Sequence, residues 1–221
     1  MVSYVRKTAA DFAYEKMKSA IIYGDIIPGQ RINIEKWEKK LGVSRTPIRE
    51  SLRKLEAEQL VNQGTNGWLF VNKISEQEVN NLYAVRIALE ELAIEEAIIE
   101  STTDDIEQLR LLQVKMEQNK NSSEIPNIGK EFHELIYEIS RNDTNIQIIK
   151  SLQSQIDRYR YLGTSLDSNR GKSAVEEHQE ILEAVLARDI GKARRTIRSH
   201  ILNSKHTVLN SLSKLGDDYK E

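Results

Sequence analysis

Between Gly42 and Val61 the chain reads GVSRTPIRESLRKLEAEQLV, and a turn followed by one helix with two unlike faces accounts for it. Ile48, Leu52 and Leu55 recur at helical spacing and form an apolar stripe. Arg45, Arg49 and Arg53 recur every fourth residue and form a basic stripe beside it. Such a helix must bury one edge against its neighbours and leave its arginines outside. Arginine's planar fork matches the two acceptors of guanine in the major groove and also pairs with phosphate. The stretch therefore points to a helix that enters DNA. The competing reading is a solvated face whose arginines pair with Glu at i+4.

The flanks decide what surrounds this helix. Ala9 to Tyr23 carries Phe12, Ala13, Met17, Ala20 and Ile21 in a helical pattern, and Pro28-Gly29 then breaks the chain. Ile34 to Leu41 predicts a second short helix with Trp37 and Leu41 inward, ended by Gly42. Ser44 and Thr46 are candidate caps for the third helix, Pro47 fits its first turn, and it ends near Gln59. Leu60 to Gln63, Gly64-Thr65-Asn66-Gly67 and Trp68 to Val71 read as strand, turn, strand. Three helices and a hairpin make a winged helix-turn-helix over residues 1–74.

After Lys73 the texture changes to long helical patterns. They run over Glu76 to Ser101, Thr103 to Asn119, Ile128 to Ser140, Thr144 to Leu162, Ser173 to Arg188 and Ile190 to Leu212. Thr103 or Asp104 is the expected cap of the second of these, and residues 119–127 and 163–171 are the expected loops. Only 10 Gly and 3 Pro in 221 residues leave few breaks, which favours long helices. The expected fold is mainly α: the N-terminal winged helix-turn-helix, then a C-terminal all-α antiparallel bundle over 75–215, with a disordered tail at 216–221.

Net charge is −2, which looks wrong for a DNA binder until it is divided. Met1 to Ile74 holds 13 Lys+Arg and 8 Asp+Glu, or +5, and the remainder holds 19 and 26, or −7. A basic first third and an acidic remainder fit a chain of which one part meets phosphate. There is no Cys, so disulfides and Cys-based zinc sites are excluded, which fits a reducing cytoplasm. No apolar run is long enough for a membrane span, and MVSYVRKTAADF lacks a signal-peptide core.

Three of the four His fall on inward faces of the later helices. His178 shares a face with Val175, Ile181, Leu182 and Val185; His200 follows Ala193 and Ile197; His133 lies with Ile136 and Tyr137. His206 falls on another face. A lone inward His is usually a core residue bonded to a neighbour. Three imidazoles aimed into one bundle from three helices instead suit a divalent metal, with Zn²⁺ or Ni²⁺ matching nitrogen donors. Arg86, Arg158, Arg160 and Tyr159, with Tyr161 beside them, are candidates to hold a small anionic ligand near such a metal. The competing reading for Arg86 is an ion pair with Glu90 at i+4.

Two segments together, IIYGDIIPGQRI and LGVSRTPIRESLRKLEAEQLV, resemble the N-terminal domain of GntR-type bacterial transcription regulators over about 70 residues. VRIALEELAIEEA, EFHELI and EEHQEILEAVLARDIGKARRTIRSHI resemble the helical FCD effector domain of the FadR-like branch, and six helices resemble its VanR-like subgroup. The resemblance implies a homodimer on a palindromic double-stranded operator. It implies base contacts from Arg45 and Arg49, with Thr46 at phosphate, Arg53 further along the backbone and Gly67 at the wing tip; Ser44 is a further DNA-binding candidate. Many relatives carry Arg where Glu35 stands here, which leaves Lys36 as the substitute, and Asn66 replaces a frequent basic wing residue. Metal-binding relatives place Asp or Asn one turn before the first His, where this chain has Gly129. Water, an effector carboxylate, Asn127 or Glu131 would complete a site of three His.

The expected function is therefore a ligand-responsive, cytoplasmic transcription regulator, a repressor released by a small organic acid, and not an enzyme. A metal-dependent hydrolase built on the His cluster is the second reading, but no nucleophile or general-base motif accompanies the histidines. A ligand-independent architectural DNA binder is the third, but it leaves a buried polar cluster without a use.

Overall fold

Helices begin where a side chain closes the first turn, over the residues that the computed structural model describes: 8–120, 122, 124–165, 167 and 169–215. Thr8 accepts from the Asp11 amide at 3.1 Å and Asp11 bonds back, a capping box that opens α1 (Ala9–Ile22). Asn33 caps α2 (Ile34–Leu41), which ends at Gly42 with φ +67°, a conformation that suits a residue without Cβ. α3 (Arg45–Ala57) follows; Ser44 stands at its N-cap without a side-chain bond, and Thr46 lies inside its first turn.

β1 (Val61–Gln63) and β2 (Leu69–Val71) pair antiparallel, with Asn62 opposite Phe70. The chain at 30–32 runs along the other edge of β2. There Arg31 bridges to Phe70, Ile32 N–H donates to the Leu69 carbonyl at 2.8 Å, and Val71 N–H donates to the Gln30 carbonyl at 3.0 Å. Met17, Ile21, Trp37, Ile48, Leu52, Leu55, Leu60 and Val71 close one apolar core beneath. Each such Leu or Ile contributes roughly 1.5–3 kcal/mol by leaving water.

The chain divides into two compact units. The first takes in residues up to Ser75 together with Ser154–Arg158; the second takes in Glu76–Gln153 and Tyr159–Lys214. The second unit is built from α4 (Glu76–Glu100), α5 (Thr103–Gln118), α6 (Ile125–Ile139), α7 (Asp143–Ser165), α8 (Arg170–Leu186) and α9 (Ile190–Lys214). α4 lies along α9, α9 along α8, and α6 touches α4, α5 and α8. Tyr83, Ile94, Phe132, Ile136, Ile181, Ile197, Ile201 and Val208 are buried at their contacts. The fold is the expected one: mainly α, with a two-stranded wing.

Local departures have local causes. α5 is capped one residue earlier than expected, by Thr102, because Asp105 three residues on can bond back to it. α6 starts at Ile125 inside the stretch expected to be loop, since Pro126 fits a first turn that needs no donor there. α8 likewise starts at Arg170 rather than Ser173. Residues 216–221, expected to be a disordered tail, lie outside the described residues. No helix among the described residues is long and apolar enough to cross a membrane.

Candidate metal centre and nucleic-acid interface

α3 buries Ile48, Leu52 and Leu55 and exposes Arg45, Thr46, Arg49 and Arg53, the division its spacing predicts. Arg45 and Arg49 line one groove with Arg31, Glu35, Gly67 and Trp68, so recognition helix and wing share a surface. Ser44, Thr46, Arg53 and Lys36 are exposed but outside that groove. Gly67, with φ +77°, turns the wing tip; its N–H donates to the Gly64 carbonyl at 2.9 Å. Arg45 Nη2 lies 3.5 Å from Glu35 and 3.6 Å from Glu38. In water such an exposed pair holds weakly, about 0–1 kcal/mol, so phosphate can displace it.

In the second unit the three predicted histidines meet. His133 from α6, His178 from α8 and His200 from α9 are all buried. His133 Nε2 lies 3.1 Å from His200 Nε2 and 3.3 Å from His178 Nε2. Two imidazole nitrogens each about 2.0–2.1 Å from a single ion stand about 3.0–3.4 Å apart, so the donors already have ligand spacing. Each Nδ1 faces an oxygen instead: Glu90 at 2.7 Å for His133, Glu177 at 2.6 Å for His200, and the Ala174 carbonyl at 2.5 Å for His178. Hydrogen bonds at Nδ1 of His200 and His178 suit a proton there, whereas His133 Nδ1 stands close to Glu90 without hydrogen-bond alignment; the three Nε2 atoms are left together. The residues therefore fit a divalent metal.

Charge in the cluster is arranged to keep the rings neutral. Burial holds His178 well below the ordinary histidine value, and the neighbouring His200 and His133 add to it. Burial does the same for His200, helped by His133 and Arg170. His133 is lowered by burial against the pull of Glu90. Burial alone would raise the Glu90 carboxyl, but Arg86 and His133 hold it well below its usual value.

Beside the rings lies a small cavity of about 40 Å3, partly open to solvent. Gly129, Arg160 and Arg170 line it with the three histidines. A Cβ at Gly129 would stand 3.3 Å from Cε1 and 3.5 Å from Nε2 of His178. A side chain there would crowd the His178 ring, so Gly129 leaves that ring room beside the cavity.

The predicted ligand-holding residues separate. Arg160 lines the cavity. Arg86 is wholly buried with Nε 2.5 Å from Glu90, the i+4 pair that was its competing reading, and Glu90 in turn stands beside His133. Its Nη1 and Nη2 have no acceptor among the described residues. Arg158 groups with the first unit, where it donates to the Asn72 carbonyl. Tyr159 is buried away from the cavity lining, and Tyr161 lines a neighbouring depression with Thr164 and Lys172.

Arg170 is the residue that sequence reasoning missed. It is 8% exposed, its Nη2 donates to Glu177 at 2.8 Å, and its Nη1 has no acceptor among the described residues. It stood in a stretch read as loop. Once α8 is extended back, Arg170 falls seven residues before Glu177 and so on its face.

Comparison with known proteins agrees with both units. Residues 9–71 match the bacterial regulatory proteins of the gntR family, and residues 81–203 match the FCD domain. The chain is 30% identical over 194 residues to the uncharacterized HTH-type transcriptional regulator YdhC of Bacillus subtilis, covering 85% of each protein. It is 26% identical over 212 residues to the HTH-type transcriptional repressor RspR of Escherichia coli, covering 94% of this chain and 92% of RspR. The solved structure of E. coli McbR/YncC shares the fold with a TM-score of 0.79 at 20% identity, covering 94% and 100% of the two chains.

Proposed function

The chain belongs to the gntR family of DNA-binding transcription regulators and carries an FCD domain, and from that premise we propose that it is a metal-dependent, carboxylate-responsive repressor. The observation that carries this reading is the convergence of His133, His178 and His200 beside Arg170 and Arg160.

The three Nε2 atoms hold the ion, Zn²⁺ or Ni²⁺, and Glu90, Glu177 and the Ala174 carbonyl fix the ring orientations. A bound divalent ion supplies a positive position for one effector oxygen. Arg170 and Arg160 hold the other end of a small organic acid by charge-assisted hydrogen bonds. A binding rather than catalytic role for the site accords with a family of transcription regulators.

DNA is read by Arg45 and Arg49 from α3, with Thr46 and Ser44 at phosphate. Two copies are needed to read a palindromic operator, each presenting one recognition helix about one helical turn from the other. On α4, Val85, Leu92 and Ile99 are 48, 42 and 61% exposed at seven-residue spacing. An apolar seam of that period suits pairing with the same helix of a second copy. The effector acts by binding one arrangement of the dimer more tightly than the other, and a coupling of about 1–3 kcal/mol changes operator affinity 5–150-fold.

RspR is named a repressor, which supports the sign of regulation. A thermal-shift screen of di- and tricarboxylic acids, run on zinc-loaded and on chelated protein, tests the reading. Acids that raise the melting temperature only with metal present support it; acids that act equally without metal count against it.

A further inference from the structure

Trp68 is 47% exposed on the wing, and Arg31 covers it: Arg31 Cζ lies 3.4 Å from the ring centroid. The backbone dictates this contact. Arg31 stands opposite Phe70 on the edge of β2, and Trp68 lies two residues before Phe70, so the two side chains are diagonal neighbours on one face. The wing turn holds the tryptophan in place. Trp68 N–H donates to Asn66 Oδ1 at 3.0 Å, and its carbonyl accepts from Gly64 N–H at 2.8 Å.

Stacking uses only the face of the guanidinium. Its five N–H donors lie in the guanidinium plane and stay available at the edge. Arg31 forms no ion pair among the described residues, whereas Arg45 in the same groove is held by Glu35 and Glu38. Arg31 is thus an exposed cation, fixed in one orientation and continuous with Arg45, Arg49 and the wing glycine.

We propose that Arg31, held flat on Trp68, is a further DNA-binding arginine, gripping backbone phosphate where the wing meets the flank of the recognition site. The proposal rests on the family's DNA binding. A stacked arginine reaches phosphate without first giving up its rotamer freedom, which makes Trp68 a positioning residue. The occupant is duplex DNA of any sequence, because a phosphate contact carries no base information.

The test uses the full chain and a fluorescein-labelled random-sequence duplex of about 30 base pairs, with anisotropy titrations across a series of KCl concentrations. Removing one phosphate contact lowers the slope of log K against log salt by about 0.9. Arg31→Ala and Arg31→Gln are expected to lower the slope by that amount, and Arg31→Lys to keep it. Trp68→Leu is expected to weaken binding with the slope kept. A purely structural role for Arg31 would leave the slope unmoved. A wild-type chain that binds, with Arg31→Gln and Arg31→Ala on the wild-type slope, overturns this proposal alone. A wild-type chain that binds no duplex at low salt overturns the DNA-binding premise and this proposal with it.

Discussion

The Nε2 atoms of His133 and His200 face each other across 3.1 Å, while Nδ1 of His200 is bonded to Glu177 and Nδ1 of His133 stands 2.7 Å from Glu90. Neutral rings that keep their protons at Nδ1, toward Glu90 and Glu177, have none to share between the two Nε2 atoms. A cation between them removes that conflict. Protein purified without chelator is therefore expected to carry one Zn²⁺ or Ni²⁺ per chain by elemental analysis, and His178→Ala to carry almost none. With free metal 100 times its Kd, occupancy adds about 2.7 kcal/mol, or about 5–10 °C in melting temperature. A chelated sample that melts with the untreated one contradicts the site.

Acid should destabilise the metal-free protein. The three rings have lowered values in the fold, from burial first, whereas in the unfolded chain they take protons near pH 6.5. Below that pH the unfolded state binds more protons than the folded one, so stability falls as pH falls and is flat above about pH 7.5. Each ring contributes at most about 1.4 kcal/mol per pH unit. Urea unfolding at pH 7.5 and 5.5 reads this directly, and His178→Asn should flatten the dependence. Equal stability at the two values would show that the rings are not held neutral.

On the DNA face, Arg49→Ala is expected to cost roughly 1–3 kcal/mol of operator binding. Glu35→Gln should do the opposite. It frees Arg45 from one of its two carboxylates and removes a negative charge from the groove. A several-fold gain in affinity at low salt, fading as salt rises, is the expected result in a mobility-shift titration. Unchanged binding by Glu35→Gln would mean that the pair does not compete with DNA.

Gly129→Asp tests the open face of the cluster. A carboxylate there begins beside His178 Nε2 and would occupy the position left for the effector. The variant should resist chelator longer than wild type and lose its thermal shift with carboxylic acids. A Gly129→Asp protein that still responds to those acids would place the effector elsewhere.

Leu92→Lys puts a charge in the middle of the apolar stripe of α4. Sedimentation should then give a monomer where the wild type gives a dimer. A dimer that survives both Leu92→Lys and Val85→Lys rules out that stripe as the seam.

Much of this was readable in advance because periodicity reports faces. The spacing of Ile48, Leu52 and Leu55 placed Arg45 and Arg49 outside, and the apolar neighbours of His178 and His200 placed both rings inside. Periodicity is silent on which inward faces meet. That His133 would find a ring 67 residues away is a matter of how α6, α8 and α9 cross. Arg158 and Arg160 were named together, yet residues two apart on a helix face different ways, and only Arg160 reaches the cavity. Arg170 was hidden by a helix start drawn three residues late. Arg31 was hidden because its partner, Trp68, lies on the far side of the recognition helix in sequence and beside it only through the pairing with β2.

Regulation by this chain requires that its two units be coupled. The decisive measurement is the Kd for a labelled operator duplex, taken from the DNA next to the gene, with zinc-loaded protein in the absence and presence of a saturating carboxylic acid from the thermal-shift screen. The acid is expected to weaken binding at least fivefold in wild type, the lower end of a coupling of about 1–3 kcal/mol, and to leave His133→Ala unchanged. A Kd that stays the same in wild type with the acid demonstrably bound would contradict that coupling.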